Sequence, residues 1–175
     1  MRRSLTLSLA VLLAVTAWAQ ERPASAKAVD HITKEVRHEL LMLPYFGVFD
    51  DIAYKVDGYN VTLLGWVTRP SVKSDAEAVV KKIEGVERVN NQIEVLPLSP
   101  IDDGLRRQLF VSIYGFPPLE RYALGVQKPI RIIVKNGHVA LEGVVDNEAD
   151  KNLAGIRANT VSGVFSVENH LIVGK

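Results

Sequence analysis

Apolar and polar residues alternate along residues 52–67, with Ile52, Tyr54 and Val56 on one side of Asp57-Gly58 and Val61, Leu63, Gly65 and Val67 on the other. A period of two around a turn-forming pair predicts a β-hairpin. The pattern returns as Ile130, Ile132 and Val134, then Asn136-Gly137, then Val139, Leu141, Gly143 and Val145. Ahead of each hairpin the period becomes helical. Ile32, Val36, Leu40 and Leu43 form one stripe, with Asp30 as the expected cap, and Leu105, Leu109 and Ile113 form another behind Asp102 or Asp103. A second helix follows each hairpin, capped at Thr68 or Asp146 and striped in the first copy by Ala76, Val79, Val80 and Ile83. Gly85 and Gly163 stand where a left-handed residue would end that helix, and a last strand is expected over 89–95 and 167–173.

The order α-β-β-α-β therefore occurs twice, and the copies are in register. Val56, Val61, Leu63, Gly65, Val67, Lys73, Ala76, Gly85, Val86, Val89 and Asn91 each reappear 78 residues later. Such periodicity marks a duplicated unit. The expected fold is α+β: tandem modules, each a three-stranded mixed sheet with two helices on one face. Val61, Leu63, Val67, Ile93 and Val95 would face the helices, leaving Leu64, Trp66, Gln92 and Glu94 on the opposite face. Gly65 and Gly143 would make room for a helix backbone, and Asn91 and Asn169 would bond local backbone.

The ends set the limits of these modules. Arg2 and Arg3 precede an apolar run from Leu5 to Val15 and the sequence Ala17-Trp18-Ala19, the pattern of a secretory signal peptide. The expected division is 1–19 signal peptide, 20–28 flexible leader, 29–96 first module, 97–101 linker and 102–175 second module. Pro97 and Pro100 stiffen the linker. No transmembrane span is expected after cleavage, since the apolar run is shorter than the roughly 20 residues a spanning helix needs.

Composition narrows the function. There is no cysteine, hence neither a disulfide framework nor a thiol for lipid attachment. Removing residues 1–19 takes two of the 21 basic residues and none of the 20 acidic ones, leaving 19 against 20. That near-neutral balance argues against nucleic acid as a partner. His31 and His38 are seven apart, no histidine pair has metal-ligand spacing, and His138 reads as a turn residue, so no metal is expected. Asp50-Asp51 and Asp102-Asp103 read as capping residues rather than a carboxylate pair for catalysis. Serine is scarce near any histidine, and neither a nucleophile-elbow nor a phosphate-loop motif is present. No catalytic residue and no cofactor is expected.

The strand motif Val61-Thr62-Leu63-Leu64-Gly65-Trp66-Val67, followed by Gly85-Val86-Glu87-Arg88-Val89-Asn90-Asn91, resembles the BON domain family. Its counterparts are 139–145 and 163–169, so the resemblance covers nearly all of the chain after the signal peptide. It implies an exported, non-enzymatic protein of the periplasm and cell envelope, with phospholipid contact or protection under osmotic stress as its role.

Two features fit such a role. Tyr45, Phe46, Phe49, Tyr54 and Tyr59 cluster after the first helix of copy one, and Phe110, Tyr114, Phe116 and Tyr122 lie on or after that of copy two. They are either core or an interfacial surface. On the interfacial reading Arg106, Arg107, Phe110, Tyr114, Phe116, Leu119 and Arg121 meet anionic phospholipid, with 116–119 the expected exposed loop. Leu64 and Trp66, on the face away from the helices, are expected to dock one module on the other or to meet an envelope protein, the alternative role being a protein-interaction or chaperone-like module of a periplasmic complex.

Overall fold

A computed structural model describes residues 25–174; the expected signal peptide and most of the leader lie outside the described residues. The first unit comprises α1 (Ala26–Leu41), β1 (Asp51–Asp57), β2 (Asn60–Val67), α2 (Pro70–Val80), β3 (Arg88–Asn91) and β4 (Glu94–Val95). The second comprises α3 (Pro100–Tyr114), a short 3-10 helix (Pro117–Ala123), β5 (Ile130–Lys135), β6 (His138–Val145), α4 (Glu148–Asn159), β7 (Ser166–Asn169) and β8 (Ile172–Val173). In each unit the central strand pairs antiparallel with its predecessor and parallel with the closing pieces. The expected α+β modules are present, each with its own core. One joins Ile32, Val36 and Leu40 of α1 and Val72, Ala76 and Val80 of α2 to Val61, Leu63, Val67 and Ile93. The other joins Leu105, Leu109 and Ile113 to Ile130, Ile132, Leu141 and Leu171.

The single closing strand expected in each copy is broken in two, and a repeated asparagine makes the break. Asn91 donates from Nδ2 to the Lys73 carbonyl on α2 at 3.0 Å and accepts from the Ile93 amide at 3.2 Å. Asn169 does the same to Lys151 at 2.7 Å and Leu171 at 3.3 Å. The side chain takes the place of a ladder partner, an option open to short amides, and ties the strand to the helix.

Other local expectations are corrected by the geometry. Ser25, not Asp30, caps α1 by accepting from the Ala28 amide. Ser99 caps α3, which starts at Pro100 inside the expected linker. The caps of α2 and α4 fall one residue later than expected, at Arg69 and Asn147. The two-residue turn of the first hairpin is Gly58-Tyr59, since Asp57 pairs with Asn60. Gly65 and Gly143, at φ +115° and +110°, approach the neighbouring strand rather than a helix: a Cβ there would strike the Asp51 or Pro129 carbonyl. Asp50 and Asp102 are buried staples, not caps. Asp50 accepts from the Gly47 and Thr68 amides and so ties two loops together, while Asp102 accepts from the Asn136 and Gly137 amides and ties the start of α3 to the second hairpin turn.

The modules dock through the segment between α1 and β1. The Ile132 amide on β5 donates to the Val48 carbonyl at 2.9 Å, and Val48 and Phe49 pack on the second core. Phe49 meets Phe110 edge-on at 6.4 Å, and Phe110 lies 4.9 Å from Tyr114. Phe49, Phe110 and Tyr114 thus form one aromatic run crossing the junction, while Tyr54 and Tyr59 pack on the first core and Tyr122 in the second.

Candidate ligand surface at the module junction

The seven residues expected to meet lipid do not share a surface. Arg106, Tyr114 and Leu119 are interior, with Arg106 only 4% exposed. Arg106 pairs with Asp103 and donates to the Val134 carbonyl at 2.6 Å. The Tyr114 hydroxyl donates to the Ile130 carbonyl and accepts from the Ile130 amide, satisfying a phenol that would otherwise be buried unpaired. Burial pushes that phenol well above the ordinary tyrosine range. Leu119 is fully buried because 116–119 is no exposed loop; Pro117 starts a 3-10 helix that turns Leu119 and Tyr122 into the core. Phe110 is half-buried between Phe49 and Tyr114, and Phe116 lies under the Arg157 guanidinium at 5.0 Å. Arg121 is taken up by Asp146 and Asp150. Arg107 alone of the seven is exposed with no ion pair among the described residues.

What the fold brings to the outside is different. Gln127 donates to the Leu41 carbonyl at 2.9 Å, setting the loop after the 3-10 helix against the end of α1. Lys128 stiffens that loop by donating to the Ala123 and Gly125 carbonyls. The result is an apolar tip, with Met42 69%, Tyr45 70%, Leu124 83% and Val126 98% exposed. Tyr45 has φ +62°, a left-handed conformation rare for a bulky residue. Its ring carries the Arg69 guanidinium at 4.9 Å. Strain held at an exposed aromatic points to use of that side chain. From Tyr45 the surface passes through Arg69 to a cleft shared with Arg107 and Leu98.

Leu64 and Trp66 lie on the sheet face away from the helices, Leu64 exposed and Trp66 half-buried. Trp66 lines a second cleft with Glu94 of its own module and Ile133, Lys135, His138 and His170 of the other. Its indole N–H donates to Glu94 at 3.3 Å, and Glu94 is paired with Lys135 across the junction. That pairing holds the Glu94 carboxyl below its usual range, as does the indole bond.

Around this cleft the parallel pairing of β6 and β7 sets His138 abreast of Ser166, with Nδ1 and Oγ 2.7 Å apart. A serine thus does stand beside a histidine, a contact between residues 28 apart that local spacing does not reveal. His170 contacts Glu142 at 2.6 Å, and that bond and charge raise its pKa. Among the described residues no cluster of three His, Cys, Asp or Glu is placed to hold a metal, and no helix is long and apolar enough to cross a membrane.

The residues that lock the junction were also unmarked in the sequence. Arg131 is 8% exposed and donates to the Gly47 carbonyl at 2.9 Å and to Gln127 at 3.2 Å. Its alternation with Ile130 and Ile132 does signal a residue on the outer sheet face, which in this chain is covered by the other module.

Compared with known proteins, the chain matches the BON domain over residues 28–97 and again over 123–175. The unmatched stretch between them holds α3 and most of the 3-10 helix. Over 122 residues the chain is 29% identical to Osmotically-inducible protein Y of Escherichia coli (strain K12), covering 69% of this chain and 61% of that protein. It thus spans less than two thirds of that relative's length. Among solved structures it is similar to the C-terminal domain of CdsD, the structural protein of the Type III secretion system of Chlamydia trachomatis. That similarity has 11% identity and a TM-score of 0.28, covering 81% of this chain and 96% of that one. Another CdsD structure gives 12% identity and a TM-score of 0.29, covering 82% and 93%. Similarity at that level bears on neither fold nor function.

Proposed function

Because the chain belongs to the BON domain family, we propose that it is an exported, non-enzymatic envelope protein that binds anionic phospholipid at a membrane surface and supports the envelope under osmotic stress. The family match and the osmotically inducible relative support the setting, and the Arg2-Arg3 start with its apolar run supports export to the periplasm. The observation that carries membrane contact is the apolar tip: Met42, Tyr45, Leu124 and Val126 are exposed, the loop of the last two is bonded to the end of α1, and Arg69 lies on the tyrosine ring. Removing a Leu, Val or Met side chain from water is worth about 1.5–3 kcal/mol. A few such side chains with adjacent arginines make a reversible interfacial anchor. Flotation of the full chain with vesicles containing phosphatidylglycerol tests this. Co-flotation that weakens with salt and with loss of the tip side chains is expected; none at low salt overturns it.

An envelope protein is the alternative partner, favoured by one observation. Exposed Val144 and Ile172 are register neighbours on β6 and β8, an apolar pair on the outer face of the second sheet. Cross-linking in the periplasm that captures one stoichiometric protein, with no flotation, would select this reading.

A further inference from the structure

The start of α2 opens into a cleft of about 310 Å³ at the module junction, walled by Phe49, Leu96 and Leu98 and carrying Arg69, Arg106 and Arg107 against one acid, Asp103. Three features of the cleft concern negative charge. The first is the helix end. Ser25, Ser99 and Asn147 cap α1, α3 and α4 with side-chain bonds, whereas α2 has no side-chain cap and no acid in its first turn. Pro70 has no N–H, the Val72 amide is bonded to the Arg69 carbonyl and the Thr68 amide to buried Asp50, which leaves the Ser71 amide and the helix dipole to favour an anion.

The second is a buried orphan. The Arg106 side chain is 5% exposed, one terminal nitrogen is on Asp103 and the other is on the Val134 carbonyl, yet Nε has no partner among the described residues. A buried guanidinium N–H without an acceptor is an unsatisfied donor on a residue that lines the cleft. The third is that Arg69 and Arg107 are exposed and have no carboxylate partner among the described residues. Arg69 is held by Tyr45, and Arg107 by its place on α3.

We propose that this cleft is a binding site for a phosphate group, with Arg69 and Arg107 as its ligands at the α2 start and Arg106 as the charged wall behind them. Planar guanidinium forks match phosphate oxygens in pairs. Phe49, Leu96 and Leu98 offer an apolar wall to whatever carries the phosphate. The carrier is a lipid headgroup or the free ion; the lipid source alone rests on the membrane reading above, and the site does not.

The test is heteronuclear NMR of the full chain, following backbone amides and the arginine Nε–H signals during titration. Inorganic phosphate, and separately dihexanoyl phosphatidylglycerol below its micelle concentration, should each shift the Arg69, Ser71 and Arg106 signals saturably. The double variant Arg69→Ala/Arg107→Ala should weaken both by at least about tenfold, as loss of two charge-assisted contacts implies, with its circular dichroism unchanged. Shifts with the lipid but none with phosphate at these signals overturn phosphate as the recognised group; so does undiminished binding by the double variant. Phosphate binding without vesicle flotation keeps the site and removes the membrane reading. Flotation without phosphate shifts removes the site and leaves that reading standing.

Discussion

The guanidinium of Arg131, on the edge strand of the second module, sits 4.6 Å from the centre of the Phe46 ring in the first. From there it reaches the Gly47 carbonyl. Burial lowers its pKa, with the Asp51 charge the largest opposing influence. One side chain thus combines ring contact, backbone bond and charge across the junction. Arg131→Ala should cost about 3 kcal/mol, since bonds to charged groups are worth about 1.5–3 kcal/mol and cation–π contact adds to them. Urea unfolding of the full chain measures it, and a loss below about 1 kcal/mol would contradict the assignment.

The matched glycines should be intolerant of the smallest side chain. At Gly65 or Gly143, alanine meets both positive φ and a neighbouring carbonyl. Each substitution should destabilise by about 2–4 kcal/mol, combining backbone strain with strand displacement. Ala at Gly104, where nothing lies within 4 Å of the added Cβ, should not destabilise and serves as the control. Thermal unfolding distinguishes them.

Asn91 and Asn169 should behave as one device used twice. Asn→Ala at either removes a helix-to-strand bond and the acceptor for the next strand amide, costing about 1–3 kcal/mol. The two sites belong to separate cores, so their effects should add within about 0.5 kcal/mol in the double variant. A strongly sub-additive result would mean the modules do not keep separate cores.

Stability should fall on the alkaline side of His170. Its folded pKa is raised above 6.5 by the bond to Glu142 and then by that carboxylate's charge. A raised histidine contributes fully below its unfolded value and loses that contribution as pH rises through the folded one. The difference in midpoint between the wild type and His170→Gln should be largest below pH 6.5 and fade as pH rises through the raised folded value. Asp51 has the same sign for another reason. Burial raises it first and Glu142 across the junction next, so its ionisation opposes folding as pH rises above 3.8. Asp51→Asn should therefore raise the midpoint at neutral pH.

The apolar tip makes a direct prediction about membranes. Met42→Asp/Val126→Asp should reduce flotation with anionic vesicles by at least about tenfold, given the transfer value of each side chain. Leu119→Ala, a buried position, should change stability and leave flotation of the folded fraction as it was.

Much of this molecule is legible without coordinates. Alternation and helical stripes give the elements, the 78-residue register gives the duplication, and the core positions Val61, Leu63, Val67, Leu105 and Leu109 follow from period alone. These are local properties, since a strand or helix must turn one repeating set of side chains inward whatever it packs against. The caps moved by a few residues because Ser25, Ser99 and Asn147 compete with neighbours equally able to accept a bond.

What an exposed-looking residue does is another matter. Arg106 and Arg131 carry the same charge pattern as any solvated arginine, yet one is folded beneath α3 and the other beneath the facing module. Met42 and Val126 are 84 residues apart and become one tip only when Gln127 closes on Leu41. Ser166 comes to His138 only through parallel pairing. The sequence by itself determined two α-β-β-α-β units and their interiors, because burial within a unit is periodic. Only the tertiary structure decided the outer surface, because that depends on which face of one unit the other covers, and docking has no period to read.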